Sequence, residues 1–170
     1  MSVVTAHPAP GTCTVFFGGS GHALRVRCDT LGHRLVMLDD DGQVLRVVGE
    51  RGRKAGCFDT PLDVVVVRPE FAGEHLPIDS ADAVWLAVAD YGNRRVQVLE
   101  LDGSVVGELA VDGPDGAPWT PTGLTWRSPV LEIEGVEGAR TAVHLSAALL
   151  AGGTPVSSRR RLMPVSEARH

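Results

Sequence analysis

No apolar run in the 170-residue chain approaches the roughly 20 residues a helix needs to cross a bilayer. The amino-terminal MSVVTAHPAPG has neither a basic start nor a long apolar core, so no secretory leader is expected and the expected location is the cytoplasm. Cysteine is scarce. Cys13, Cys28 and Cys57 are odd in number and lack metal-ligand spacing, which points to reduced thiols, although Cys13 and Cys28 lie on strands expected to be neighbours. Basic charge is the minority: 16 Lys and Arg against 21 Asp and Glu give a net charge of −5 and a pI near 5.6, against a general nucleic-acid-binding protein.

Catalytic signatures are missing too. His22, His33, His75 and His144 are scattered without ligand spacing. Ser20 in GGSGH superficially fits G-x-S-x-G, yet its context is a turn between strands rather than a strand-to-helix elbow. Asp39-Asp40-Asp41-Gly42 hints at calcium but lacks the rest of an EF-hand loop and sits where a hairpin turn is expected. No catalytic residue, cofactor or metal ligand is assigned.

What is present is turn-rich and repetitive. Twenty Gly and eleven Pro, with 44% hydrophobic and 22% charged residues, suit one soluble all-β domain. Val84 to Val111 reads as three strands: an apolar run to Ala89, a second opened by Val96, Val98 and Leu99, and a third from Val105 after the Asp102-Gly103 turn. The first turn is DYGNRR, Asp90 to Arg95, whose Gly92-Asn93 pair suits left-handed backbone and whose Arg95 is placed to clamp Asp90 or loop carbonyls. Ala23 to Val48 copies this stretch: Asp29, Arg34, Gly42 and Leu45 each stand 61 residues before Asp90, Arg95, Gly103 and Val106.

In chain order, Thr12 to Phe17, Ala23 to Asp29, Leu35 to Leu38 and Val44 to Val48 form an expected four-stranded meander. In the second strand, Arg25 and Arg27 alternate with Leu24, Val26 and Cys28, giving one wet face. A Gly-rich loop, Gly49 to Pro61, leads to Leu62 to Val67, apolar on both faces and so expected in an interior. Arg68 to Asp82 reads as an insertion. A worn third unit follows, in which Thr120-Pro121 echoes Thr60-Pro61 and Ala142 to Leu145 echoes Ala83 to Leu86, with Leu149 in place of the Asp. Trp85, Trp119 and Trp126 are expected to pack, with an exposed anchor as the other reading of Trp119.

DYGNRRVQVLELDG resembles the NHL repeat, and Gly49, Gly52, Gly56, Phe58 and Pro61 match that family's G-x-x-G-x-x-x-G-x-F-x-x-P loop. The first copy departs from it at Gly32, in the Asn position, and the third keeps only its opening strand. The Gly-His and Trp-Asp marks of WD repeats are absent. The resemblance implies a partial β-propeller over 10–151: blade 1 about 10–60, blade 2 about 61–120 and a partial blade 3 about 121–151, with 152–170 a basic, flexible tail. A ring needs about four blades or more. The ends of this one must therefore be covered by further copies or a partner, or be capped by the worn unit.

In such a propeller one rim gathers both turns and the Gly49–Pro61 loop. It would carry His33, Arg51, Arg53, Lys54, Tyr91 and Arg94 as a binding surface, with Asp29, Arg34, Asp90, Asn93 and Arg95 as the structural repeat signature. The function expected is a non-catalytic interaction module for a protein partner or for itself. Two alternatives stand: a metal-dependent hydrolase or lyase completed by other chains, and RNA or anion binding through the basic loops.

Overall fold

The computed structural model describes residues 11–16, 22–68, 84–110, 117, 119–145 and 160–161. The readings of Ser20, Phe17, His75, Leu149, the core of the 68–82 insertion, the acidic loop 111–116 and most of the 152–170 tail lie outside them.

Three antiparallel meanders account for the described chain, with no α-helix among these residues. The first sheet runs β1 (Thr12–Phe16), β2 (Ala23–Asp29), β3 (Arg34–Leu38) and β4 (Val44–Val48) in spatial order. The second runs β5 (Pro61–Val67), β6 (Trp85–Asp90), β7 (Arg95–Glu100) and β8 (Val105–Ala110). The third holds β9 (Pro121–Arg127), β10 (Val130–Gly135) and β11 (Arg140–His144). A two-residue strand β12, Arg160–Arg161, lies parallel to β8 beside Leu109 and Ala110. That pairing places one point of the basic tail on the second sheet's outer edge.

The sheets are held by two apolar layers, one on each face of the second. Val64, Val66, Leu86, Val88 and Leu99 pack with Cys13, Val15, Val26, Leu35, Met37 and Phe58 of the first unit. From the opposite face, Val65, Val67, Ala87, Ala89, Val96 and Val98 pack with Leu124, Leu131, Ile133 and Val143 of the third. A strand alternates its side chains between faces. A sheet lying between two others must therefore be apolar throughout, which is why β5 and β6 read as continuous hydrophobic runs while β2 shows Arg25 and Arg27 exposed around buried Val26. Trp85 is buried in the second layer, and Trp119 and Trp126 pack against it.

Burial also silences two thiols. It pushes Cys13 up to about 12, with the nearby Asp63 adding to the shift, and raises Cys28 for the same two reasons in the same order. All three cysteines are free.

The third unit differs from its sequence reading. The sequence echo sets Ala142 to Leu145 against the second strand of the neighbouring unit, but β11 is the third strand of its sheet and the second is Val130–Gly135. The insertion belongs to the second unit alone. In the third, β9 turns into β10 through Ser128-Pro129, so an alignment carrying the insertion forward lands one strand too late.

Candidate functional site

The turn DYGNRR joins β6 to β7 and is held open by its own first and last residues. Asp90 and Arg95 are a directly opposed pair in the β6–β7 ladder, and Arg95 Nε donates to Asp90 Oδ2 at 2.8 Å. Tyr91 to Asn93 form a 3-10 turn, and the left-handed residue is Arg94, at φ 53°. The expectation that Gly92 and Asn93 supply left-handed backbone is thus corrected. Gly92 is needed for room: a Cβ there would overlap the Asp59 carboxyl, and its own N–H donates to Asp59 O at 2.7 Å. In the first copy Gly32 stands in the place of Asn93, where a Cβ would overlap the Asp29 carboxylate, while His33 takes the left-handed place at φ 54°.

Arg95 then spends the rest of its fork on the Gly49–Pro61 loop. Its terminal nitrogens donate to the carbonyls of Arg53 (2.8 Å), Lys54 (3.1 Å) and Cys57 (2.8 Å), and to Glu108 Oε2 (3.0 Å). Asn93 Nδ2 donates to Gly52 O at 2.8 Å and to Asp90 Oδ2 at 2.9 Å. Gln97 donates to Cys57 O and accepts from Gly56 N–H, and Asp90 Oδ1 accepts from Asp59 N–H. A loop cannot bury its carbonyls without donors, and these side chains supply them. Among the described residues Asn93 Oδ1 is the only buried side-chain nitrogen or oxygen left without a hydrogen-bond partner.

The loop's spaced residues each meet one need. Gly49 leaves room for the Phe58 ring, Phe58 is fully buried, and Pro61 opens β5. The segment Asp59–Pro61 is gripped from both sides. Thr30 Oγ1 donates to Pro61 O at 2.8 Å, and Thr60 N–H donates to His33 Nδ1 at 3.0 Å. The bond to His33 leaves the neutral ring's proton on Nε2. Turn 29–34, turn 90–95 and the loop therefore do share one edge of the molecule.

On that edge the structure separates two groups. Asp90, Asn93 and Arg95 point inward and are consumed by the loop, with Arg95 and Asp90 only 6% and 0% exposed. Arg51, Arg53, Lys54, Tyr91 and Arg94 are exposed. His33 is partly buried and tied to Thr60. The first copy repeats the clamp in the open: Arg34 Nε reaches Asp29 Oδ2 at 2.8 Å, at 47% and 31% exposure. That hydrogen bond, helped by Gly32 N–H and the positive charges of Arg34 and Arg27, holds the Asp29 carboxyl below the usual carboxylate range. Asp39 accepts from the N–H groups of Asp41 and Gln43 of its own hairpin, and Asp40 accepts from Ala23 N–H at the start of β2. Among the described residues no three His, Cys, Asp or Glu side chains gather as a metal-binding group.

Compared with protein-family models and with curated proteins, the chain matches none. Its geometry is the remaining guide to its function.

Three residues that matter here are not among those the sequence singles out. Gln97 is fully buried, Asp63 is 4% exposed, and Gly135 stands where Asp90 stands in its own sheet. The signal for the first two was a lone polar residue inside an apolar run. Gly135 closes β10 as Asp90 closes β6, but the residue across from it is Ala139, to whose carbonyl it donates, while Arg140 pairs with Glu134, so the turn GVEGAR has no Asp–Arg clamp. The missing carboxylate is replaced by Trp119, whose indole fills the space a Gly135 side chain would need. Gly135→Ala is expected to displace Trp119, seen as a shifted indole emission and easier acrylamide quenching. An unchanged spectrum would show that the ring does not depend on that gap.

Proposed function

We propose that the three sheets are blades of a partial NHL-type β-propeller acting as a non-catalytic interaction module, with the loop-bearing edge as its binding rim. The observation that carries this reading is the division of labour on that edge. The Asp90, Asn93 and Arg95 side chains are used up in holding backbone carbonyls of Gly52, Arg53, Lys54 and Cys57 and each other. The side chains of Arg51, Arg53, Lys54, Tyr91 and Arg94 are thereby turned to solvent on a rigid support. Binding residues on loops positioned by a fixed scaffold are the usual arrangement for recognition. Groups already saturated by internal hydrogen bonds are poor candidates for acid–base chemistry.

The test is affinity capture with the intact chain and with Arg51→Glu/Arg53→Glu/Arg94→Glu. Proteins held by the native chain should be lost by the variant while its melting temperature stays the same. Retention of the same set by both would remove the rim from consideration. The same exposed cations beside Tyr91 favour RNA as a second reading, which predicts salt-sensitive retention of single-stranded RNA.

A further inference from the structure

The two internal interfaces repeat one geometry. At the first, Val26 and Cys28 on the forward face of β2 meet Leu86 and Val88 on the rear face of β6. At the second, Ala87 and Ala89 on the forward face of β6 meet Leu131 and Ile133 on the rear face of β10. In both, the first strand of the later sheet lies against the first and second strands of the sheet before it, β5 against β1 and β2, and β9 against β5 and β6. Arg25 and Arg27 precede Leu86 and Val88 by 61 residues, so they hold the rear-face positions of the first sheet. On the forward face of the third sheet, the positions of Ala87 and Ala89 are taken by Glu132 and Glu134.

A third interface of this kind would bring the face that carries those arginines against the face that carries those glutamates. Within one chain the two faces are at opposite ends of the stack, so the partner face must come from another molecule. We propose that a second copy of this chain docks head to tail, its Glu132 and Glu134 against Arg25 and Arg27. This rests on reading the sheets as successive members of one series, but not on the rim as a binding surface.

Neighbours on each face fit the same pairing. Register carries Arg27 across Val36 to Val47, and Arg25 across Leu38 to Val44; Val36 is buried, but Val44 at 60% exposure and Val47 at 46% leave uncovered apolar side chains on the arginine face. Opposite Glu132 in the third sheet lie Thr125 and Ala142. The charges are also partly engaged at home. Arg25 donates to Asp40 O at 3.4 Å, Arg127 lies 3.4 Å from Glu132, and Arg140 is the ladder partner of Glu134. Association of this kind is reversible and salt-sensitive, because exposed charges give it direction and charge pairs at a surface are individually weak. Head-to-tail contacts of this type either close on themselves or continue.

Sedimentation equilibrium over a range of protein concentrations tests the proposal. The native chain should rise from its 18.0 kDa mass toward at least twice that value, and fall back as salt is added. Arg25→Glu/Arg27→Glu alone and Glu132→Arg/Glu134→Arg alone should stay monomeric, because each then presents like charges at both ends. An equimolar mixture of the two should associate again, which also shows that both variants are folded. Arg51→Glu/Arg53→Glu/Arg94→Glu should associate like the native chain, so failure of the rim reading and failure of this one are told apart. A native chain that stays monomeric, association that resists salt, or a mixture that does not recover would overturn it.

Discussion

Arg95→Ala is expected to lower the unfolding free energy by about 3–5 kcal/mol, the usual cost of removing one partner from a buried charge pair. The arginine contacts Asp90, Glu108 and three loop carbonyls at once. Its loss leaves the Asp90 carboxylate, at 0% exposure, without its cation, strips the side-chain donor from the Arg53 and Lys54 carbonyls, and leaves Cys57 O with Gln97 alone. Arg95→Lys should recover little, because an ammonium cannot spread planar donors over five acceptors. The internal control is the equivalent residue of the first copy. Arg34 makes the same bond to Asp29 in solvent, and Arg34→Ala should barely move the denaturation midpoint. Urea unfolding of the three variants measures this. Equal losses at 95 and 34 would mean that the loop is not what Arg95 supports.

Asp63→Ala should be nearly as damaging, by about 3 kcal/mol, since a bond to a charged acceptor contributes roughly 1.5–3 kcal/mol and two cross-sheet bonds are lost. Asp63 Oδ1 accepts from Gly11 N–H at 2.9 Å, just before β1, and Oδ2 accepts from Leu124 N–H of β9 at 2.8 Å. Through one buried carboxylate on β5, the leading edges of all three sheets are joined. Asp63→Asn keeps one acceptor and turns the other into a donor facing an N–H, so it should fall between native and alanine. Amide exchange of Gly11 and Leu124 gives a local reading: both should exchange faster in Asp63→Ala. Native protection of both, with native stability, would show that the apolar layers alone hold the sheets together.

Much of the architecture was legible beforehand because it is local. The strand pairs in 23–48 and 84–110 follow from period-two patterning and from turns that demand particular residues, such as Gly103 at φ 94° after Asp102. The clamp was legible in outline too, since an Asp and an Arg flanking a tight turn have few other partners.

What sequence could not carry was every fact set by a neighbour distant in the chain. The same Asp and Arg build a solvent-facing clamp at 29 and 34 and a buried, loop-holding one at 90 and 95. The difference is that the Gly49–Pro61 loop folds over only the second. Asp63 is polar in an apolar strand because its acceptors reach Gly11 and Leu124, on other sheets. Gly135 stands in its sheet where Asp90 stands in the second, with Trp119 filling the volume a side chain would need, whereas the sequence places the missing Asp at Leu149. The sequence by itself determined the strands, their turns and the repeat, all products of interactions a few residues apart. Only tertiary packing decided which faces became dry, which charges were buried and which basic side chains were left in water, because burial depends on what the rest of the chain brings alongside.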